Sequence, residues 1–317
     1  MRIDPHVHCR DGRERHKETI EHVLRLCDEQ GVARVFDMPN TDPPVLTASD
    51  AEQRLLLVPP GARGRYGLYM GVTADEAQIE AAARLVRDEP AIVGLKLYAG
   101  RSVGALAVAA GEDQRRVYRT LAGAGYSGVL AVHCEKESCF RACGAAGPAG
   151  HGRARPAAAE IESVRDQVAF AAEAGFAGVL HICHVSTAGA LDLVRQARGR
   201  LRITCGATPH HLLWDEKRMR RPDGAIYKVN PPLRTGADVL ALRAALVEGG
   251  IDWIETDHAP HALVDKLAPP YSSGFPSLML YRELVEKRLP EWGVSEERIH
   301  GLTSLNIMRA FTERKAT

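Results

Sequence analysis

The sequence predicts an α/β fold, a (β/α)8 TIM barrel that forms a single domain over residues 1–317. Two observations support this prediction. Short β-rich runs alternate with longer amphipathic stretches along the whole chain, and eight such runs are present. Strands that alternate with helices form parallel sheets through right-handed crossovers, and eight such units close into a barrel.

The predicted strands all have strand length, and they are Ile3–His8, Ala33–Met38, Tyr66–Val72, Ile92–Tyr98, Gly128–Cys134, Gly178–Val185, Leu201–Thr208 and Ile251–Asp257. The stretches between them carry apolar residues at helical spacing, which predicts helices that include Lys17–Glu29, Thr73–Arg87, Glu160–Ala174 and Thr187–Ala197. Asp75, Thr187 and Asp238 lie where helix N-caps are expected.

The first strand alternates apolar and polar residues in the order Ile3, Asp4, Pro5, His6, Val7, His8. Because successive side chains of a strand point to opposite faces, we expect His6 and His8 to face the same way. Two imidazoles on one face, at a strand end, suit a borderline metal such as zinc. The alternative for the pair alone is one core histidine and one surface histidine.

Two segments are too long for a simple βα connection. Residues 143–159 are rich in Gly, Ala, Pro and Arg, which predicts a surface loop before a helix near Glu160. Residues 210–238 form a long insertion after the seventh strand, and such insertions commonly serve as lids or binding loops.

Composition excludes several classes of function. The formal net charge is +1, which gives no electrostatic reason to expect nucleic acid or an anionic membrane as partner. No apolar run approaches the ~18 residues of a membrane span, and we find no secretion signal. The seven cysteines are an odd number, which favours reduced thiols and a cytoplasmic location. Cys139 and Cys143 lack a second pair at zinc-finger spacing, so they do not indicate a structural zinc.

Metal-ligating residue types recur at the carboxyl ends of the predicted strands, the face on which barrel enzymes keep their chemistry. They occur in Lys96, His133-Cys134-Glu135, His181-Ile182-Cys183-His184 and Thr256-Asp257-His258-Ala259-Pro260-His261. Strand parity directs Lys96 into the barrel, where an ammonium beside a metal would be costly. A neutral amine can instead add carbon dioxide, and the resulting carbamate could bridge two cations. Each histidine alone has a structural alternative, but together they predict a metal site.

Seven segments resemble the dihydroorotases of the amidohydrolase superfamily, in family order: Asp4-Pro5-His6-Val7-His8-Cys9-Arg10, Met38-Pro39-Asn40-Thr41, Gly94-Leu95-Lys96-Leu97-Tyr98, Val132-His133-Cys134-Glu135, His184-Val185-Ser186-Thr187, Asn230-Pro231-Pro232-Leu233-Arg234 and Thr256-Asp257-His258-Ala259-Pro260-His261. The resemblance implies two zinc ions held by six side chains: His6, His8 and Asp257 for one ion, His133 and His184 for the other, and carboxylated Lys96 as the bridge.

The implied reaction is the reversible hydrolysis of (S)-dihydroorotate to N-carbamoyl-L-aspartate in pyrimidine (UMP) biosynthesis. In the family mechanism an activated water attacks the ring amide, and Asp257 would carry the proton to the leaving nitrogen. The substrate carboxylate would be bound by Arg10, Asn40 and His261, and Asn230 would line the ring together with the turn Ser273–Pro276. A guanidinium and an amide donor suit a carboxylate.

Two other functions fit parts of this pattern. Hydantoinases and allantoinases share the metal ligands, but Arg10 and Asn40 favour a substrate that bears a carboxylate. Non-catalytic dihydroorotase-like scaffolds of aspartate carbamoyltransferase typically lack the ligands that are present here. Association with such a transferase, or a homodimer, is compatible with the sequence. Longer relatives carry segments on both sides that form a β-sandwich, and we expect the barrel without it.

Glu255 shares parity with Asp257, so it should point into the barrel one layer below the metals. Some animal relatives bind a third zinc through a glutamate of strand seven beside a cysteine of strand six. Here the strand-seven position is Gly206, while Cys183 is present. One hypothesis is that Glu255, Cys183 and His133 hold an extra metal. The alternatives are that Glu255 bonds to neighbouring barrel groups or a cation, or that the strand register is shifted by one residue.

Overall fold

The computed structural model of the chain describes residues 1–102, 106–142 and 147–312. Eight parallel strands, each paired with its neighbour in sequence order, form a (β/α)8 barrel. The barrel is closed by a parallel bridge between Val7 and His258, where the amide of His8 donates to the carbonyl oxygen of His258 at 2.8 Å. Within these residues the barrel is the only sheet, as the alternation of β-rich runs and amphipathic stretches predicted.

All eight predicted strands are confirmed, with ends that shift by a few residues. Strands β1 to β8 are Ile3–Val7, Arg34–Asp37, Tyr66–Gly71, Ile92–Ala99, Val129–Cys134, Val179–Ile182, Ile203–Ala207 and Trp253–Ile254. The last strand is much shorter than the predicted Ile251–Asp257 and loses residues at both ends.

Seven helices follow the first seven strands. Helices α1 to α7 are Ile20–Gln30, Ala48–Leu56, Glu76–Asp88, Gly111–Gly123, Ala157–Glu173, Ala188–Ala197 and Gly236–Glu248. Asp75 and Thr187 cap α3 and α6 as predicted. The prediction for Asp238 is wrong, because Thr235 is the N-cap of α7. Asp238 occupies the third helical position and completes a capping box.

Shorter helical segments lie in the loops and after β8. Short α-helices are His151–Ala154, Pro209–Leu213 and Leu263–Leu267, and 3-10 helices are Gly12–Glu14, Pro60–Arg65, Glu137–Cys139, Pro148–Gly150, Glu216–Arg220, Gly224–Tyr227 and Ser277–Leu280. Mixed α- and π-helical turns cover 281–291 and 296–312. Across the described ranges, no helix is both long enough and apolar enough to cross a bilayer.

The core has two layers. The outer layer, between sheet and helices, contains Leu95 and Leu97, whereas Lys96 between them is fully buried and points to the opposite face, as strand parity predicted. The inner layer contains Tyr69 and Trp253 and is closed by residues of the last helix, among them Phe311. The C-terminal helix therefore fills the amino end of the barrel, which leaves the carboxyl ends of the strands for a site.

The predicted alternation fails at the start of β1, for Ile3 and Asp4. The pairing of β1 with β2 shifts register between Asp4 and Val7. Ile3 therefore packs in the inner layer, and the carboxylate of Asp4 does not face the same way as the rings of His6 and His8. Asp4 accepts instead from the backbone N of Thr256 at 3.0 Å and from its hydroxyl at 2.5 Å, which fastens β1 to the end of β8.

The segment predicted as a surface loop is only partly at the surface. Cys143 lies outside the described residues, but His151 in the same segment is buried and α5 begins at Ala157, three residues earlier than expected. The long insertion after β7 is confirmed, and it folds back over the barrel end through Asn230. The six described cysteines are free thiols.

Candidate metal centre

A cleft opens at the carboxyl ends of the strands, and it contains all six predicted metal ligands and three of the four predicted substrate contacts. Its lining residues are His6, His8, Arg10, Asn40, Lys96, Tyr98, Ser102, His133, His184, Asn230, Asp257, Ala259, Ser273 and Gly274. The fourth contact, His261, lies beside it, with Nε2 3.3 Å from a terminal nitrogen of Arg10.

The first predicted ligand group is assembled. The ligand atoms of His6, His8 and Asp257 all lie within 4.8 Å of one another. Asp257 Oδ1 is 3.3 Å from Nε2 of His6 and 2.9 Å from Nε2 of His8. Two ligands placed ~2.0–2.1 Å from a tetrahedral zinc are about 3.3–3.4 Å apart, which is close to both distances from Asp257.

The second predicted group has the same spacing. Nδ1 of His133 lies 3.2 Å from Nε2 of His184, and both rings are buried. Lys96 extends from β4 between the two groups, and its charge acts on His6, His133 and His184. The Lys96 amine donates to Sγ of Cys183 at 3.0 Å. The lysine therefore lies where a bridging group was predicted.

The protonation of the cluster fits a cation. Nδ1 of His6 and Nδ1 of His184 are buried and make no hydrogen bond to the described residues. Burial lowers the pKa of His8 to about 4 and that of His184 well below its usual value, so both rings are neutral. Neutral His8 has a single ring N–H for Asn40 Oδ1 at 2.7 Å and for Asp257 at 2.9 Å, so one of these two oxygens faces a ring nitrogen without a proton, where a cation could bind.

His6 differs from the other three histidines. Burial and the Lys96 charge lower its pKa, but Cys183 and Glu255 outweigh them and raise it to about 9. A ring proton and a metal ion would compete for the same nitrogen, so a metal that bound here would displace a proton. His184 and Asp257 have φ angles of 39° and 47°, a left-handed conformation that is strained for both residue types and typical of functional sites.

A buried arginine that could bind an anion, Arg10, lies next to the ligand cluster. Arg10 is only 2% exposed, and its Nε donates to the carbonyl oxygen of Pro260 at 3.2 Å. Its nearest acidic group is Glu14 Oε1, 3.9 Å from the guanidinium. Burial, followed by the Arg10 charge, lowers the pKa of His261 to about 3, so His261 is neutral. Arg10 therefore places a buried positive charge beside the cleft, which suits a small carboxylate.

The loops after β7 and β8 close the cleft through contacts that the sequence did not reveal. The ring of His151 lies 3.0 Å from Oδ1 of Asn230 and 2.8 Å from the carbonyl oxygen of Val229, so it orients the Asn230 amide. The amine of Lys266 donates to three carbonyl oxygens, including that of Gly274 at 2.7 Å. Nε2 of His261 donates to the carbonyl oxygen of Ser273 at 2.9 Å.

Glu255 points into the barrel, as predicted, but its partners differ from the third-metal hypothesis. It accepts from Nε2 of His181 at 2.9 Å, from Nε1 of Trp253 at 3.2 Å and from the backbone N of His184. His133 is not in this group, because its own ring nitrogens contact His184 and Glu135. The donor group on this side consists of His181, Cys183 and Glu255.

Four histidines, a lysine and an aspartate thus converge at the ends of five parallel strands of one barrel. This combination of fold and site defines the amidohydrolase superfamily. The chain superposes on L-hydantoinase from Arthrobacter aurescens with a TM-score of 0.85 at 22% identity, over 98% of this chain and 70% of that one. At this identity the likeness shows the fold alone.

The sequence comparisons are more specific. The chain is 35% identical over 287 residues to a dihydroorotase of Leifsonia xyli subsp. xyli and 34% identical over 275 residues to one of Streptomyces coelicolor, in both cases over 83% of its own length. No family model matches. The chain is a homologue of the dihydroorotases, and the aligned segment spans 59% and 61% of the length of these two relatives.

Proposed function

We propose that the protein is a cytoplasmic, zinc-dependent dihydroorotase that interconverts (S)-dihydroorotate and N-carbamoyl-L-aspartate in pyrimidine biosynthesis. The observation that carries the proposal is the buried anion-binding group of Arg10 and Asn40 directly beside the ligand cluster. Dihydroorotate bears a carboxylate next to its cyclic amide, whereas hydantoin does not. The names of the homologues support the same assignment.

We further propose two zinc ions, held by His6, His8, Asp257, His133 and His184 and bridged by Lys96 in its carboxylated form. The ligand spacings and the neutral rings of His8 and His184 support this part. Bound zinc would supply Lewis-acid activation of the amide carbonyl and of the attacking water. Carboxylation would convert the Lys96 amine, buried among histidines, into an anion suited to two cations.

The side chains of this chain supply orientation and proton transfer. Arg10, Asn40 and His261 would hold the substrate carboxylate and thereby fix the ring over the ligand cluster. Asp257 would carry the proton between the attacking water and the ring nitrogen. Burial raises the pKa of Asp257, but the hydrogen bond to His8 and the charge of His6 outweigh it and hold the carboxylate ionised, ready to accept a proton.

The ring itself would be lined by Asn230 and by the backbone of Ser273 and Gly274. A Cβ at Gly274 would lie 2.4 Å from the carbonyl oxygen of Ala259, so this turn packs tightly against the end of β8. Tight packing there excludes water from the substrate and gives the cleft a fixed shape for a six-membered ring.

A side-by-side assay tests the proposal. Zinc-loaded protein is supplied with dihydroorotate, hydantoin and allantoin at equal concentrations, and we expect dihydroorotate to have the highest kcat/KM. Faster turnover of hydantoin or allantoin would contradict the assignment, and no turnover of any of them would favour the scaffold alternative. Gel filtration with and without aspartate carbamoyltransferase tests self-association and that partnership.

A further inference from the structure

A buried ion pair lies directly behind one predicted metal ligand. Glu135 is fully buried at the end of β5, and Arg155 reaches it from the segment before α5. A terminal nitrogen of Arg155 donates to Glu135 Oε2 at 2.6 Å, and Nε donates to Oε1 at 3.1 Å. The contact is two-pronged, the strong geometry for an arginine and a carboxylate.

The same carboxylate contacts His133. Nε2 of His133 lies 3.1 Å from Glu135 Oε2. Since an ionised carboxylate can only accept, the ring N–H must be on Nε2. The lone pair of His133 is therefore on Nδ1, the nitrogen that faces His184 at 3.2 Å. A partner that fixes the tautomer and direction of a ligating histidine increases metal affinity.

Arg155 also joins two loops that reach the cleft. The nitrogen that bonds Glu135 donates as well to the carbonyl oxygen of Arg101, in the loop after β4, at 2.6 Å. The carbonyl oxygen of Arg155 accepts from Arg234, in the loop after β7, at 2.7 Å. Ser102 and Asn230 of these two loops line the cleft. One arginine thus contacts the support of a metal ligand and both loops.

We propose that Glu135 and Arg155 are positioning residues that hold His133 in its ligating tautomer and couple the second zinc position to the loops after β4 and β7. The inference rests on the proposed function, because it assumes that zinc binds at His133 and His184. It predicts a selective defect: loss of the pair weakens one zinc position and leaves the one at His6, His8 and Asp257 in place.

The test uses the full-length zinc protein and competition with a chromogenic chelator, which resolves two dissociation constants. The variants are Glu135→Gln, which keeps the shape of the side chain, Arg155→Met and Arg155→Lys. The control is Arg198→Met. Arg198 likewise bonds one carboxylate, that of Asp252 at 2.7 Å, and two backbone carbonyls, but at the opposite end of the barrel. Spectra of the cobalt-substituted proteins report the surroundings of each site independently of activity.

We expect the zinc position at His133 and His184 to lose about 10–100-fold in affinity in Glu135→Gln and Arg155→Met, the usual effect of removing such a partner. Arg155→Lys should retain part of the affinity, because its single charge can pair with Glu135 but cannot also hold Arg101. Arg198→Met should lower the Tm and leave both zinc affinities unchanged. One of the two cobalt spectra should change in the first two variants.

Two outcomes overturn the inference alone. Zinc affinities within twofold of the wild type in Glu135→Gln and Arg155→Met would show that the pair has no part in ligation, and the proposed function would still stand. An equal loss in Arg198→Met would show that the effect is general destabilisation. A wild-type protein that binds no zinc would instead overturn the proposed function, together with this inference.

Discussion

Replacement of Arg10 by lysine tests whether the anion-binding group works through its geometry or through its charge alone. Lysine keeps the positive charge, but it replaces a planar fork of five N–H donors by a point charge on a flexible stem. In the structure one donor of the fork is already committed, through Nε to the carbonyl oxygen of Pro260. A lysine amine cannot keep this contact and also bind both carboxylate oxygens.

The expected loss follows from the number of contacts removed. One charge-assisted hydrogen bond contributes about 1.5–3 kcal/mol, which corresponds to roughly 10–150-fold in kcat/KM. The assay is steady-state hydrolysis of dihydroorotate by zinc-loaded wild type and Arg10→Lys. Zinc content and Tm are measured on the same samples, because Arg10 is buried and a folding defect would otherwise imitate a binding defect.

Orotate supplies the matched binding measurement, since it carries the same carboxylate and is not hydrolysed. Its inhibition constant should rise in Arg10→Lys by a factor similar to the loss in kcat/KM. Unchanged kinetics with dihydroorotate would place Arg10 outside the substrate site. A loss in kcat/KM without any change in the affinity for orotate would show that Arg10 does not bind the carboxylate, and the reasoning from its position would then be refuted.

Three further predictions concern the ligand cluster and its surroundings. Lys96→Ala should abolish hydrolysis because the bridge between the zinc ions is lost, and short carboxylic acids should partly restore it; full activity without such acids would exclude the carbamate. Glu255→Ala and the wild type should both contain two zinc ions per chain by metal analysis, because the Glu255 carboxylate is already satisfied by three donors. The variant should lose about 3–5 kcal/mol of stability. A third zinc that disappears in the variant would establish the extra site. Burial, followed by the Lys228 charge, lowers the pKa of His151 to about 4. The unfolded chain therefore takes up a proton at higher pH than the folded one, and the free energy of unfolding should fall by up to about 3 kcal/mol between pH 6.5 and 4. Urea unfolding of His151→Gln should depend less on pH than that of the wild type, and an identical pH dependence would contradict this role of His151.

The sequence was sufficient to predict the barrel and the convergence of the six predicted ligands, because the strand topology follows from local patterns. The ligand set itself came from the resemblance to the dihydroorotases. Alternation of strands and helices sets the topology, and strand parity directs Lys96 inward. In a parallel barrel all strand ends meet on one face, so six residues far apart in sequence could be placed together without any tertiary information. The cleft contains all six of them.

The side-chain directions predicted from strand parity were wrong where β1 departs from regular pairing with β2. The shift between Asp4 and Val7 cannot be inferred from the alternation Ile3 to His8, because a bulge changes the side on which a residue lies without changing the sequence pattern. Asp4 was therefore grouped with the two histidines, although it bonds Thr256. The missed supports, His151 and Arg155, lie in a Gly- and Ala-rich segment, and their partners Val229 and Glu135 are distant from them in sequence.

The glycine at position 206 and the carboxylate at position 255 depend on each other. The sequence has a glycine on strand seven and a carboxylate on strand eight, which suggested that Glu255 occupies space vacated at position 206. In the structure a Cβ on Gly206 would lie only 2.4 Å from Cδ of Glu255, so any larger residue at position 206 would displace the carboxylate. That carboxylate receives a hydrogen bond from the backbone N of His184, a residue held at a φ of 39°. The small residue on strand seven is therefore required by the acidic residue on strand eight, and the acidic residue in turn supports the strained backbone that presents His184 to the cleft.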